Sequence, residues 1–323
     1  MSNRNNKFGV IGVLMGGVSS EREISLKSGK AVYEALRDHG QDVEALDIAF
    51  QDSEKIEDFI RSAQIDTAFI ALHGKLGEDG TIQSILDGMN IPYPGSGVEA
   101  SRLFLNKALA QKILRQNNIP VPDFEVLIAN GLPTKEHFKN SLNVLKTFFP
   151  LVVKPSCEGS SIGISIINKK QDLAAALREA FRYGEEVLVE RFIKGRELTV
   201  GILDQSPLPV IEIRPRNHFF DFNAKYQQGL TDYLIPAPLP EDVMGQVQEV
   251  ALAAHTVLGC RDFSRVDLIL DDAQRPYVLE INTIPGFTAT SLLPKAAKEA
   301  GLDFTQLCLK LLELADEKKR KGL

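Results

Sequence analysis

The 323-residue sequence contains no tryptophan and only three cysteines, Cys157, Cys260 and Cys308. These cysteines are widely spaced and match no metal-ligand pattern, which argues against a disulfide framework and predicts a reducing, cytoplasmic setting. No apolar run is long enough to span a membrane, so we expect no membrane partner. A formal net charge of −6 argues against a nucleic-acid partner, which usually needs a basic face.

Two nucleotide-binding fingerprints are also missing. No G-x-G-x-x-G surrounds Gly16-Gly17, so this strand–turn–helix matches a dinucleotide site poorly. We interpret Asp47, at the end of the second strand, as a loop carboxylate. A nicotinamide-dependent oxidoreductase is a weak alternative. The segment that starts at Lys154 is not a P-loop, because no Gly-Lys-Ser/Thr ends it. The length predicts two or three domains.

Strands and helices alternate in the first hundred residues, which predicts a parallel sheet covered on both faces. The predicted elements are a strand over 7–15, a helix from a Ser20/Glu23 capping box to about Gly40, a strand over 43–47, a helix over 54–64 and a strand over 67–72. A turn cluster over 93–97 indicates a boundary, and a single helix over 98–116 is expected after it.

The remaining sequence predicts more strands and fewer helices. Strands are expected near 124–128, 151–154, 164–167, 186–190, 197–203 and 210–214, and helices near 135–146 and 171–182. The stretch over 215–240 has no regular pattern, and loops of this length are usually functional lids. A helix, a hairpin and two final helices complete the chain.

The predicted hairpin carries an unusual polar face. Arg265 and Asp267 alternate with apolar residues in one strand, and Glu280 and Asn282 do so in the next. Because strand side chains alternate between faces and a turn-prone segment joins the strands, we expect the four groups to meet on one face. Carboxylate and amide oxygens suit Mg²⁺ with phosphate oxygens. The alternative is a pair of solvated edge strands with a salt bridge.

Other segments offer chemistry as well. Lys154 and the Gly/Ser-rich loop after it can form a phosphate-binding site. The alternative is that the loop is only a mobile connection between two strands. Glu21 stands at a helix start, where it can complement the helix dipole or grip a substrate ammonium group. His73 ends the third parallel strand, where ligands bind in open α/β sheets, although a lone histidine is often structural. Gly286 either offers its N–H to an oxyanion or simply forms an ordinary Pro-Gly turn.

Taken in order, these segments resemble the D-alanine–D-alanine ligases of the ATP-grasp superfamily. The matching motifs are GGVSSEREIS, ALHGKLGEDG, PGSGVEAS, LVVKPSCEGSSIGIS, DFNAKY, SRVDLIL and LEINTIPGFTATSLLP. The resemblance implies an α/β, three-domain ATP-grasp fold with an N-terminal parallel-sheet domain. Its expected domains are 1–101, a central subdomain over 102–191, and 192–323 with the lid over 215–240.

The resemblance also implies ligation of two D-alanine molecules through an acyl phosphate, with ATP and two Mg²⁺ (or Mn²⁺), for peptidoglycan synthesis by a cytoplasmic homodimer. The implied nucleotide-binding residues are Lys107, Lys154, Ser160, Ser161, Glu190, Phe192, Ile193 and Glu197. The implied metal ligands are Asp267, Glu280 and Asn282. The implied catalytic and substrate-binding residues are Glu21, His73, Ser160, Lys225, Tyr226, Arg265, Gly286 and Ser291.

Three positions depart from the family pattern: Asn106 where Asp is usual, Cys157 in a variable loop, and Thr290 where many members have His. The resemblance implies that Tyr226 favours D-alanine over D-lactate as second substrate, because members of the family that form dipeptides carry Tyr at this position. Relatives that add D-serine or D-lactate as second substrate stay open as an alternative. A non-catalytic nucleotide-binding regulator is a weaker one, because Arg265 and the three metal ligands are all present.

Overall fold

The computed structural model describes residues 7–129, 149–157, 162–215 and 231–321. Its first part is a parallel sheet, as predicted. The strand order is β2-β1-β3, with β1 in the centre and fully buried. The strands are β1 (Ile11–Gly16), β2 (Val43–Ile48) and β3 (Thr67–Ile70). The helices of this part are α1 (Arg22–Asp38), α2 (Ser53–Ala63) and α3 (Thr81–Gly88). Parallel neighbours need such crossover helices between them.

The predicted capping box at the start of α1 is wrong. Glu21, not Ser20, occupies the cap position, and no side chain there bonds a helix N–H group. The carbonyl of Glu21 accepts hydrogen bonds from the N–H groups of Ile24 and Ser25, both at 3.0 Å, so the helix starts after it. The Ser19 hydroxyl instead donates to the carbonyl of His73 at 2.9 Å, which ties this turn to the loop after β3.

The single helix predicted over 98–116 is two helices, α4 (Val98–Leu105) and α5 (Lys107–Gln116). Asn106 breaks the run with an extended backbone, and its side-chain oxygen accepts from the N–H of Leu109 at 2.8 Å. The Ser156 hydroxyl also donates to this oxygen, at 3.1 Å. Asparagine competes with the helical backbone in this way at caps. The break makes Lys107 the first residue of α5.

A second sheet is antiparallel, in the order β4-β7-β5-β6. Its strands are β4 (Phe124–Ile128), β5 (Leu151–Pro155), β6 (Ser165–Ile167) and β7 (Glu186–Arg191). Helix α6 (Leu173–Ala180) covers it and has a 3₁₀ turn at each end, Lys170–Asp172 and Phe181–Tyr183. The helix predicted near 135–146 lies outside the described residues.

The third sheet has the order β11-β10-β8-β12-β13, with the short β9 paired to β8. Its strands are β8 (Gly195–Leu203), β9 (Ser206–Pro207), β10 (Ile211–Pro215), β11 (Thr231–Leu234), β12 (Phe263–Asp271) and β13 (Pro276–Asn282). Its helices are α7 (Glu241–Val257), α8 (Leu292–Glu299) and α9 (Phe304–Lys321). The prediction of irregular chain over 215–240 is wrong for β11, because hydrogen bonds to β10 order it. Residues 216–230 lie outside the described ranges.

Helices α8 and α9 join the first and third parts of the chain. Their apolar residues share one core with β1, α1 and β3. Phe287 is 2% exposed at the centre of this core, with its ring 5.3 Å from that of Phe69 and 6.2 Å from that of Phe263. Burial of this kind fixes the loop before α8 against two sheets. The domain limits proposed from sequence remain predictions, and in the described ranges no helix is long and apolar enough to cross a membrane.

Candidate active site

A cavity of about 1310 Å³ lies between the first part of the chain, α5, the hairpin β12–β13 and the start of α8. Among the residues predicted from sequence, its walls hold Glu21, His73, Lys107, Arg265, Asp267, Glu280, Asn282, Gly286 and Ser291. These side chains come from segments up to 270 positions apart in the sequence. The fold therefore gathers half of the predicted site residues around one space.

The predicted polar face of the hairpin is confirmed. Arg265 stands opposite Asn282, and Asp267 stands opposite Glu280, in antiparallel register. Directly opposed residues on one face have Cβ atoms about 5 Å apart. All four line the cavity, so they do not form a solvated outer edge.

A β-bulge after this face was not predicted. The register of β12 and β13 shifts between Asp267 and Leu268, so that Leu268 pairs with Val278. The extra residue turns Val278 into the core, where it is fully buried, although simple alternation would place it beside Glu280. Bulges of this kind are common beside active sites, and this one leaves Leu279 on the cavity wall.

Asp267 is the centre of the polar face. Arg265 donates to both of its carboxylate oxygens, at 2.9 and 2.7 Å, and Thr199 on β8 donates to one of them at 2.6 Å. The amide nitrogen of Asn282 donates to the other oxygen at 3.1 Å. Four donors thus fill the usual capacity of a carboxylate. A cation that binds Asp267 has to replace one of them, and Arg265 also faces the cavity.

The donor set suits a hard cation. Asp267 and Glu280 supply carboxylate oxygens, and Asn282 has its amide oxygen left over, because its nitrogen is the end that bonds Asp267. Within the described residues no group of three or more His, Cys, Asp or Glu converges as a metal site. Two carboxylates and an amide leave a cation short of ligands, and phosphate oxygens complete such a shell around Mg²⁺. The ammonium of Lys107 lies 3.9 Å from Glu280, which places a positive charge beside the same oxygens.

The two residues predicted for opposite ends of the nucleotide form an ion pair with each other. The Lys154 ammonium lies 2.9 Å from Glu190 Oε2, and both side chains are buried. Strands β5 and β7 are neighbours, which brings the two residues together. Neither is among the residues that line the cavity. The pair is reached through Gln111, whose amide donates to Glu190 Oε1 at 2.5 Å and to the Leu279 carbonyl at 3.2 Å.

Sequence reasoning missed Gln111. The signal was available, because Gln111 lies four residues after Lys107 and therefore on the same face of α5. It is 2% exposed and belongs to the cavity wall. It connects the Lys154–Glu190 pair to the hairpin.

The other described residues predicted to bind the nucleotide do not line the cavity. The N–H of Phe192 donates to the Pro150 carbonyl at 3.1 Å, and Ile193 is buried. Glu197 lies on β8 two residues before Thr199, and so on the face of the sheet that carries Asp267. Ser160, Ser161, Lys225 and Tyr226 lie outside the described residues.

His73 lies in the loop after β3, where it is held from two sides. Its Nε2 is 3.1 Å from the Ser28 hydroxyl, and its Nδ1 is 3.1 Å from the Ile284 carbonyl and 3.6 Å from Glu78 Oε1. The N–H of Phe287 donates to the same Ser28 hydroxyl at 3.2 Å. His73 therefore links α1 to the loop that carries Gly286, and it borders the cavity beside Glu21.

The turn before α8 is closed by hydroxyl groups. Ser291 Oγ accepts from the N–H of Thr288 at 3.1 Å and lies 2.9 Å from the Thr288 hydroxyl. Gly286 faces this turn, because a Cβ built on it would lie 3.2 Å from Ser291 Oγ. Gly201 lets α8 approach the sheet, since a Cβ there would lie 2.6 Å from the Leu293 side chain. Gly201 pairs with Arg265, so α8 stands over the polar face.

Asp47 is in β2 and not in a loop, which corrects the prediction. Arg22 binds it through two hydrogen bonds of 2.8 Å each. This pairing raises the pKa of Arg22. Asp47 is thus held by α1 at the turn after β1, and the structure gives it the role of a local ion pair.

The fold has an N-terminal parallel sheet and two antiparallel sheets, and its cavity carries groups suited to phosphate. This combination is that of the ATP-grasp ligases. A family model described as D-ala D-ala ligase C-terminus matches residues 113–313, and one described as D-ala D-ala ligase N-terminus matches 48–96. The D-alanine–D-alanine ligase of Geotalea uraniireducens is 46% identical over 305 residues, which are 94% of this chain and 95% of that protein. The chain belongs to the D-alanine–D-alanine ligase family.

Solved structures of similar fold also support membership of this family. The crystal structure of D-alanine–D-alanine ligase from Bacillus anthracis complexed with ATP has a TM-score of 0.85 and 34% identity, covering 98% of this chain and 100% of that one. The VanG D-Ala:D-Ser ligase from Enterococcus faecalis has a TM-score of 0.79 and 31% identity, covering 95% and 99%. The fold is therefore shared by ligases with different second substrates.

Proposed function

We propose that the protein joins two D-alanine molecules into D-alanyl-D-alanine for peptidoglycan synthesis, with conversion of ATP to ADP and phosphate. The observation that carries this proposal is the polar hairpin face, which opens on the same cavity as Glu21, Gly286 and Ser291. A phosphate-suited face and amino-acid-suited groups thus share one space. The family membership supplies the substrates.

The proposed reaction has two steps. The carboxylate of the first D-alanine attacks the γ-phosphorus of ATP, which forms an acyl phosphate and releases ADP. The amine of the second D-alanine then attacks the acyl carbon, and phosphate leaves from a tetrahedral intermediate. Both steps concentrate negative charge, so the site has to supply fixed positive groups and N–H donors.

At the amino-acid end, we assign Glu21 to the ammonium of the first D-alanine, with His73 beside it. Arg265 and the Gly286 N–H stabilise the oxyanion, because both face the cavity between the hairpin and α8. Ser291, with Lys225, holds the carboxylate of the second D-alanine.

At the nucleotide end, Lys107 and Lys154 serve the phosphates, and Ser160 and Ser161 belong to the loop over them. Glu190 meets the adenine together with the backbone of Phe192 and Ile193, and Glu197 meets the ribose. Ser160 and Tyr226 form the closing link of the lid towards Glu21. Asp267, Glu280 and Asn282 would hold two Mg²⁺ or Mn²⁺, which supply charge neutralisation at the phosphate oxygens when bound.

The proposal is tested by incubating the protein with ATP, Mg²⁺ and D-alanine. ADP, phosphate and dipeptide are the expected products, and an absence of phosphate release at every D-alanine concentration would refute the proposal. Competing D-serine or D-lactate against D-alanine then tests the second substrate. We expect D-alanyl-D-alanine to dominate, whereas a dominant D-alanyl-D-serine would move the protein to the function of the VanG neighbour. The homodimer and the cytoplasmic location remain predictions.

A further inference from the structure

Three lysines on the cavity wall, Lys27, Lys75 and Lys295, have no role in the reaction described above, and of these three only Lys295 is not exposed. Lys295 lies on α8, one turn after Ser291, the residue that precedes the helix, and its backbone N–H donates to the Ser291 carbonyl at 3.0 Å. Its ammonium lies 4.1 Å from the centroid of the Tyr233 ring, and both residues line the cavity. Arg265 lines the same cavity.

Lys295 differs from the other cations of the cavity. Arg265 is bound to Asp267, and Lys107 lies beside Glu280. Lys27 and Lys75 are exposed. Lys295 is half-buried, and no carboxylate within the described part of the chain forms an ion pair with it. Burial lowers its pKa.

The segment just before Lys295 in the chain brings hydroxyl groups to the cavity wall. Thr288, Thr290 and Ser291 line the cavity, and the Ser291 hydroxyl lies 2.9 Å from that of Thr288. A zwitterionic amino acid offers a carboxylate to such a group of hydroxyls and an ammonium. A half-buried ammonium beside hydroxyl groups is suited to a carboxylate through charge-assisted hydrogen bonds.

We propose that Lys295 binds the carboxylate of the second D-alanine next to Ser291, and so makes the site specific for an acceptor with a free carboxylate. The inference rests on the proposed function. Tyr233 holds the ammonium in place by a cation–π contact, which leaves its N–H groups for the substrate. Lys295 is therefore a substrate-binding residue that none of the sequence motifs pointed to.

The test uses an acceptor that differs only in charge. D-alaninamide has an amine but no carboxylate, so it can enter only as the second substrate. With ATP, Mg²⁺ and a mixture of D-alanine and D-alaninamide, the ratio of dipeptide to dipeptide amide reports preference at the second site. This ratio does not depend on the amount of folded enzyme, on ATP binding or on the first site.

We expect Lys295→Met to lower this ratio by about tenfold, because one charge-assisted hydrogen bond is lost. Lys295→Arg keeps the cation and should keep most of the preference. Lys298→Met, at an exposed lysine of the same helix, is the matched control and should equal the parent protein. If Lys295→Met fails to fold, Lys295→Gln replaces it.

An unchanged ratio in the variant without charge would overturn the assignment of Lys295. An equal loss of both products would do the same, because it would mean that Lys295 shapes the pocket without reading the carboxylate. Failure of the proposed function looks different, since the parent protein would then make neither product.

Discussion

Replacing Lys154 by methionine leaves the buried Glu190 carboxylate without its cation. The side chains of Lys154 and Glu190 are 8% and 3% exposed, and the ammonium lies 2.9 Å from the carboxylate. Removal of one partner of a buried ion pair typically lowers the free energy of unfolding by about 3–5 kcal/mol. Gln111 still donates to Glu190, so we expect a loss near the lower limit, about 3 kcal/mol.

The double variant Lys154→Met/Glu190→Gln separates charge from packing. Both replacement side chains are uncharged and similar in size to the originals, and the Glu190→Gln change keeps an oxygen that accepts from Gln111. Because replacement of both charges is often nearly neutral, we expect the double variant to regain most of the lost stability. Urea unfolding of the parent, both single variants and the double variant, without nucleotide, measures the coupling. A loss below about 1 kcal/mol in Lys154→Met, or additive losses in the double variant, would refute the reasoning about this buried pair.

Three further outcomes follow from other parts of the structure. Burial lowers the pKa of His255 to about 4. Since histidine in the unfolded chain titrates near 6.5, the unfolded state binds an extra proton between these two pH values. The free energy of unfolding should therefore fall by on the order of 3 kcal/mol as pH drops from about 6.5 to 4. His255→Gln should remove this pH dependence in urea unfolding, and an unchanged pH dependence would contradict the lowered pKa of His255. A thiol reagent should modify one cysteine of the native protein quickly, the exposed Cys157, because Cys260 and Cys308 are buried and burial raises the pKa of both thiols; mass spectrometry showing rapid double labelling would contradict this. Asn106→Ala should cost about 1 kcal/mol in urea unfolding through loss of the cap of α5, and Asn106→Asp should not; equal effects would argue against the cap.

Features that depend on the repeat of side chains along one strand or helix could be predicted from the sequence. Features that depend on contacts between residues far apart in the sequence could not. The polar hairpin face followed from alternation over a few residues, and the register confirms it. The bulge after Asp267 did not follow, because it buries Val278 among helices that are distant in sequence. The break at Asn106 needs Ser156, fifty residues away, as the second donor to its side chain.

The pairing of Lys154 with Glu190 shows the same limit. Each residue carried a separate signal, but only the adjacency of β5 and β7 puts them in contact. Gln111 shares a face of α5 with Lys107, which the spacing in the sequence could have shown. The importance of Lys295 comes only from what the fold places near it. The resemblance to a ligase family supplied roles for the matching motifs, but no role for these two residues.

Glu280 gives the most direct test of the central claim that the hairpin face is the catalytic face. Glu280→Gln keeps the shape of the side chain and removes its charge, and we expect D-alanine-dependent phosphate release to fall by roughly a hundredfold or more. Asp272→Asn, in the exposed turn of the same hairpin, is the matched control and should release phosphate at the parent rate. If Glu280→Gln turned over ATP and D-alanine as fast as the parent protein, the catalytic role of the hairpin face would be contradicted.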